Sequence, residues 1–337
     1  MTGGRTTFEF PGLSARVVFG AGSIERLPGE LDRIGLRRVV VISTPGQQQL
    51  AKDVAARLGE RGAGTYSRAV MHVPVAVGAA AVAHVREVGA DGCVTVGGGS
   101  ATGLGKAVAL ETGLPLVALP TTYAGSEMTP VWGLTDERGK RTGRDPRVAP
   151  RTVVYDPELT AGLPLEISVT SAVNAMAHAV EAGYAPDGSP IADLMAGEAT
   201  RSLLAGIDAL LRRPDSGAAR VDLLRGAWLA GNCLGVTTMG LHHKLCHLIG
   251  GRYDLNHAWT HTVLLPYVMD FNLGTGAALC DLLESHGFRR SLADLGMPAD
   301  GIEAVVDAAV AAPYANPRPV DRDAVRMIVT AAYRGSY

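Results

Sequence analysis

The chain has 337 residues, 47% of them hydrophobic and 19% charged, with a formal net charge of −2, the composition of a large-cored protein long enough for two domains. Basic and acidic residues are interspersed, which gives no electrostatic case for nucleic acid or an anionic membrane as partner. Cys93, Cys233, Cys246 and Cys280 lie far apart without a C-x-x-C spacing, and "MTGGRTTFEFPG" has no apolar run behind a basic region; a disulfide framework, a zinc–thiolate site and a secretory signal are not expected, and the cytoplasm is.

In chain order, "RRVVVIST" (37–44) reads as a buried strand and "GQQQLAKDVAARLGERG" as the helix after it. "GTYSRAV" is a strand and "VPVAVGAAAVAHVREVGA" a helix. "DGCVTVGGGS" is a strand running into glycine, "ATGLGKAVALETG" a helix and "PLVALPTT" a further strand. This alternation predicts a doubly wound, mostly parallel sheet. From about residue 160 the β-branched runs stop. "LEISVTSAVNAMAHAVEAGYA", "IADLMAGEATRSLLAGIDALLRR", "AARVDLLRGAWLAGNCLG", the segment around His243 and tail segments near 281–295, 301–312 and 321–334 carry apolar residues at helical spacing, predicting an all-α second domain. Two prolines and a glycine break the pattern in "VVYDPELTAGLP" (153–164). The expected division is a dinucleotide-binding α/β domain over 1–158 and a helical catalytic domain over 159–337.

"VTVGGGSATGLGKAVAL" sets Gly97, Gly98, Gly99 and Ser100 between a strand and the first turn of a helix. Glycines let a backbone approach a phosphate, and the helix N-terminus offers unpaired N–H groups to the anion. A tight strand-to-helix turn accounts for the glycines equally well. "PTTYAGSE" (120–127) then adds Thr121, Thr122 and Ser126 at the same strand-end face, where open α/β sheets bind ligands. Together the two loops point to a dinucleotide. Five of the nine histidines, His242, His243, His247, His257 and His261, fall within residues 240–261. Such a gathering binds a metal, moves protons or orients an oxygen gaining charge. Spacing puts Asn174 with His178, and His243 with His247, on shared helix faces.

The GGGS turn, "LPTTYAGSE", "VNAMAHAVEA" and "GLHHKLCH…GGRYDLNHAWTHTVLLP" together resemble the iron-containing alcohol dehydrogenase superfamily, to which dehydroquinate synthase also belongs. The similarity runs from "ARVVFGAGS" to "PYANPRPVDRDAVR". "STPGQ", "MHVPV", "GGGSATGLGKA", "TTYAGSEMTP", "RDPRVAPRTVVYDPELT" and "HHKLCH" resemble its maleylacetate-reducing branch. The resemblance implies a nucleotide-binding domain, a helical domain, an active site in the cleft between them and a homodimer. It also implies NADH or NADPH as cofactor and conversion of maleylacetate, a small dianionic keto acid, to 3-oxoadipate in aromatic-ring degradation.

Metal-dependent relatives hold iron or zinc through an aspartate, a histidine four residues later and two distant histidines. The matching positions are Asn174, His178, His243 and His257. Asn174 offers a carbonyl oxygen without charge, so the reading is a site working without metal; any ion that did bind would use His178, His243 and His257. A second acidic position of those relatives, after the GGGS turn, is Gly103. Each carboxylate within about 5 Å of a dianion costs on the order of 3 kcal/mol at an effective dielectric near 20, so both changes suit maleylacetate. The expected chemistry is hydride addition to the carbon β to the ketone, with His243 and His178, and His247 and His257 nearby, donating hydrogen bonds to the enolate oxygen and one histidine protonating the α carbon. Lys244, Arg144 and Tyr123 are the candidates for the substrate carboxylates, although solvated charge accounts for Lys244 and Arg144 as well. His242 and His261 are read as packing residues or as supports behind the residues that meet the substrate, and His72, His84 and His286 as unrelated to the chemistry. At Ser43 and Thr44, where many relatives place an acidic residue on the ribose, no carboxylate stands, so both cofactors are expected to be accepted.

Beside the site the sequence departs from the family. "LGTGAAL" (273–279) leads almost directly to the next helix, Asn256 and Trp259 stand where proline and glutamate are usual, and Gly183 replaces leucine; the substrate is therefore open to differ in a specialised pathway. Rival readings are a metal-dependent alcohol or aldehyde oxidoreductase, a lyase of the dehydroquinate-synthase kind, and a silent subunit that binds a partner protein.

Overall fold

The computed structural model describes residues 7–13, 15–312 and 314–337. The chain forms two compact units, one of residues 12–163 and one of residues 164–337 together with the segment through Pro11.

The first unit runs β1 (Arg16–Phe19), α1 (Leu27–Arg33), β2 (Val39–Ile42), α2 (Gln48–Arg57), β3 (Gly62–Tyr66), α3 (Val75–Glu87), β4 (Gly92–Gly97), α4 (Gly99–Thr112), β5 (Leu116–Pro120), β6 (Val131–Asp136), β7 (Gly139–Arg144) and β8 (Thr152–Tyr155). Six strands lie in the order β1-β8-β5-β4-β2-β3, all parallel. Side chains alternate across a strand, and the two faces separate cleanly. Val39, Val41, Val94, Val96, Val117 and Leu119 pack with α1 and α2, whereas Val40, Ile42, Cys93 and Leu116 pack with α3 and α4. That is the doubly wound sheet read from the sequence. The antiparallel β6–β7 hairpin is not foreshadowed, because β6 is only half-buried and the described residues of β7 are mostly exposed.

The second unit contains α5 (Leu165–Ala182), α6 (Pro190–Arg212), α7 (Gly217–Val236), α8 (Leu241–Tyr253), α9 (His257–Leu273), α10 (Gly276–Ser285), α11 (Gly301–Val310) and α12 (Arg322–Arg334). Ser189, Ser216, Asn256 and Asp321 cap α6, α7, α9 and α12 through their side chains, each satisfying an N–H of the first turn. The tail helix expected near 281–295 is displaced. It starts at Gly276, directly after the left-handed Gly274 that closes α9, and Gly287 at φ 73° keeps it from resuming. Phe10 packs against Ala182, Met195, Ala196 and Cys233, which joins residues 7–11 to the helical unit rather than to the α/β domain assigned them by sequence. All four cysteines are buried and free. Among the described residues no helix is long and apolar enough to cross a membrane.

Candidate active site

In the α/β unit the glycine turn closes β4 onto α4. Gly97 takes φ 148°, and a Cβ there would lie 2.6 Å from Gln47 Oε1 and 2.8 Å from Ala101 Cβ. A Cβ on Gly98 would meet Thr122 Oγ1 at 2.6 Å, whereas nothing lies within 4 Å of one built on Gly99. Gly98, the N-cap of α4, provides no side-chain cap, so the first N–H groups of α4 are available to an anion. The second loop is tied to the first. Thr121 N donates to Gly97 O at 3.2 Å, and Gln47 Nε2 donates to Thr121 Oγ1 at 2.5 Å. Ser43 and Thr121 are buried, Thr44, Ser100, Thr122 and Ser126 half-buried, and Gly99 exposed.

Two features of this unit have no sequence signal. Lys106, fully enclosed on α4, donates to Ser126 O, Thr129 O and Val131 O at 2.7–2.8 Å and to Thr129 Oγ1 at 2.9 Å, stapling the end of the second loop to the glycine-turn helix. Burial lowers its ammonium to about 7, against the attraction of buried Glu127, whose own carboxyl burial pushes up while Tyr155 donates to it. The other is Val73, at φ 43° beside His72 at φ 64°, a costly conformation for a β-branched residue. Thr135 holds the pair through N to Val73 O at 3.1 Å and Oγ1 to His72 O at 2.8 Å. Val73 Cγ2 would stand 2.9 Å from a Cβ on Gly103. The absence of a carboxylate at position 103 thus has a packing reason.

In the helical unit Asn174, His178 and Glu181 stand at i, i+4 and i+7 of α5, one face, and all are buried. That face meets the start of α8. The Glu181 carboxylate accepts N–H groups of Gly240 at 2.9 Å and His242 at 2.7 Å, supplying from a neighbouring helix the cap that α8 lacks and placing negative charge at its positive end. Gly240 allows the approach, since a Cβ there would lie 2.8 Å from Ala315 O and 3.2 Å from Glu181 Oε1. The same carboxylate lies 2.6 Å from His243 Nδ1. Burial works against its charge, yet His243, His242 and the Gly240 N–H outweigh burial and hold it down to about 2. An ionised carboxylate only accepts, so Nδ1 carries the proton and Nε2 faces the site with no partner among the described residues, as do Asn174 Oδ1 and His178 Nδ1.

The imidazoles are contiguous. His178 stacks on His243 with ring centres 5.0 Å apart, His243 meets His261 at 5.1 Å and His247 at 6.2 Å, and His257 meets His261 at 4.4 Å and His247 at 6.2 Å. Burial first, then the neighbouring rings, holds His178 and His261 well below the usual imidazole range and His242 at about 3, so these three are neutral near pH 7. Among the described residues, only His242, Cys246 and His261 bring potential ligand atoms all within 4.8 Å of one another. They form a buried chain, with His242 Nε2 2.9 Å from His261 Nδ1 and 3.4 Å from Cys246 Sγ. Burial pushes that thiol well above its ordinary value.

Of the residues expected at substrate carboxylates, Lys244 is half-buried in the helical unit with Nζ 5.8 Å from the Tyr314 ring centre, and Arg144 is an exposed residue ending β7. Tyr123, in the loop after β5, is fully buried. The sequence departures beside the histidines are structural. Asn256 caps α9 by accepting from Trp259 N at 3.1 Å, and Trp259 donates to Glu166 at 2.6 Å beneath Arg290. Gly183 closes α5. The residue the sequence reading missed is Glu181. Its signal is the α5 face it shares with Asn174 and His178.

A parallel sheet with a glycine turn opening a helix, and a helical unit with clustered histidines, define a dehydrogenase-type oxidoreductase. The chain belongs to the iron-containing alcohol dehydrogenase family: residues 14–157 match "Iron-containing alcohol dehydrogenase" and residues 168–277 match "Fe-containing alcohol dehydrogenase family, C-terminal". It is 50% identical to maleylacetate reductase of Burkholderia cepacia, over 97% of this chain and 98% of that protein. It is 49% identical to maleylacetate reductase 2 of Cupriavidus pinatubonensis, over 99% of each. The crystal structure of maleylacetate reductase from Rhizobium sp. strain MTP-10005 superposes with a TM-score of 0.94 at 45% identity, covering 98% of this chain and 99% of that one.

Proposed function

We propose that the protein reduces the conjugated C=C bond of maleylacetate with NADH or NADPH, giving 3-oxoadipate, and that it does so without a metal. The observation that carries the reading is the Glu181–His243 pair, 2.6 Å apart, beside an asparagine where metal-dependent relatives have aspartate.

Gly97 to Ser100, Thr121, Thr122 and Ser126, with Ser43 and Thr44 at the end of β2, are the groups that would hold the dinucleotide. Bound there, the reduced nicotinamide supplies a hydride to the carbon β to the substrate ketone. Electron density moves onto the ketone oxygen, and the cluster meets that charge. With Nδ1–H held by Glu181, His243 exchanges protons only through Nε2. Doubly protonated, it hydrogen-bonds the enolate oxygen and delivers a proton to the α carbon, directly or through a water. His178, neutral and stacked on it, is a second donor; His247 and His257 stand next to them. Lys244, on the helix that carries His243, is the cation for a substrate carboxylate.

A divalent ion in the family's position would meet Asn174, His178, His243 and His257. The set fits poorly, because all four ligands are neutral and the histidines do not bring their ligand atoms together as tightly as His242, Cys246 and His261 do. No step requires the ion. Assembly as a homodimer, usual in the family, belongs to the same reading. The test is NADH oxidation across a panel of enone and keto acids. Maleylacetate is expected to be turned over fastest; turnover of simple aldehydes with none of maleylacetate would make the protein an alcohol or aldehyde oxidoreductase.

A further inference from the structure

The structure assigns to Arg68 a role in holding the 2′-phosphate of NADPH, an assignment that rests on the dinucleotide reading of the α/β unit. In dinucleotide-binding sheets the adenosine ribose lies at the end of the strand next to the glycine-turn strand; a carboxylate there binds the free 2′-hydroxyl, and a nearby arginine accommodates a 2′-phosphate. Here that strand is β2, paired in parallel with β4 on one side and with edge strand β3 on the other. It ends in Ser43 and Thr44, and no carboxylate stands there to repel a phosphate.

In sequence Arg68 is remote from Ser43. The sheet brings it back. Ser43 N donates to Tyr66 O at 3.1 Å, Ala69 N donates to Ser43 O at 3.0 Å, and Ser43 Oγ lies 2.9 Å from Ser67 Oγ. The chain leaving β3 is thereby folded over the end of β2, with Arg68 at the fold. Arg68 is exposed and no carboxylate pairs with it among the described residues. Its guanidinium instead lies over the Tyr66 ring, 5.8 Å from the ring centre, which steadies the fork without neutralising it. A cavity of about 470 Å³ opens beside it, lined in part by Gln48, Ser67, Arg68, His84 and Glu87. His84 Nε2 is buried away from solvent, with no partner among the described residues. The opposing charge is Glu87, the last residue of α3.

A phosphomonoester dianion matches an arginine fork bidentately, and hydrogen bonds to charged groups of this kind are worth roughly ten- to a hundredfold in affinity. Arg68 therefore lets a chain that accepts NADH accept NADPH at least as well. The experiment compares wild type, Arg68→Ala, Arg68→Lys and Arg68→Glu for the KM of NADPH and of NADH, and for inhibition by 2′,5′-ADP, 5′-AMP and inorganic phosphate. Arg68→Ala is expected to raise the KM of NADPH about tenfold or more and to weaken 2′,5′-ADP in parallel, with NADH and 5′-AMP within about twofold of wild type. Arg68→Lys is expected to fall between, and Arg68→Glu to penalise NADPH further. Equal changes for both dinucleotides, or none, would overturn the assignment while leaving the dinucleotide reading intact; loss of all dinucleotide binding by the wild type would instead remove that reading. Inhibition by inorganic phosphate that depends on Arg68, without discrimination between 2′,5′-ADP and 5′-AMP, would make the site a free-phosphate site and also overturn it.

Discussion

His243 Nδ1 lies 2.6 Å from Glu181 Oε2, and the same carboxylate caps the helix that carries His243. One buried anion thus fixes the ring's tautomer, its rotation and the position of its backbone. Glu181→Gln with its NH2 turned toward Nδ1 keeps an oxygen for the His242 N–H alone, because Gly240 N–H and Nδ1 share Oε2, and it reverses the tautomer. The variant is expected to fold and to bind dinucleotide normally, while kcat falls about a hundredfold or more. Nitrogen chemical shifts of His243 would report the reversal. A folded Glu181→Gln enzyme with kcat within about threefold of wild type would reduce Glu181 to a helix cap.

His243→Ala removes one donor to the developing oxyanion and its proton carrier. The expected loss is two to three orders of magnitude in kcat, about 2.7–4 kcal/mol, with the KM of the dinucleotide little changed. A variant that loses only substrate affinity would place His243 in binding rather than in the chemistry.

Stability follows from the buried imidazoles. His242 titrates at about 3 when folded and near the usual imidazole value when unfolded, so below pH 6.5 the unfolded chain takes up the proton first. Stability is then lost as pH falls; at pH 5 His242 alone accounts for about 2 kcal/mol. His178 and His261 shift in the same direction. Glu181, held at about 2, adds a loss at pH values below the ordinary carboxylate range. Thermal melts from pH 7 to 4.5 are expected to show Tm falling steadily from about pH 6.5; a flat profile would mean that these histidines are not buried neutral.

Gly99 stands at the start of α4 with open space where a Cβ would be. Gly99→Val is therefore tolerated by the fold, but its side chain occupies the approach of a pyrophosphate to the helix N-terminus. Dinucleotide affinity, measured by fluorescence titration, is expected to drop strongly with Tm nearly unchanged. Wild-type affinity in the folded variant would make the turn purely structural.

Much of this was legible in residue patterns. The β-branched runs of β2, β4 and β5, and the glycines after β4, announce a parallel sheet and its anion-binding end, because buried strands and close backbone approach each demand particular residue types. The face carrying Asn174 and His178 follows from helical spacing alone. What escaped are features that depend on partners distant in sequence. The Glu181 cap on α8 joins residues separated by a long stretch of chain. The Lys106 staple is made to carbonyls that any residue carries. The collision of Val73 with a Cβ on Gly103 depends on an unusual backbone angle, and the burial of Tyr123 depends on packing that a hydroxyl in a strand-end loop does not disclose.

The most direct measurement of the central claim is the initial rate of NAD(P)H oxidation with maleylacetate in excess chelator, on protein whose metal content has been determined. The site described here, with neutral Asn174 and a Glu181-held His243, predicts a nearly full rate with no bound metal, and an Asn174→Asp variant with higher metal affinity and a higher KM for the dianion. Turnover abolished by chelation and restored by added zinc or iron would contradict it, and would make His178, His243 and His257 ligands.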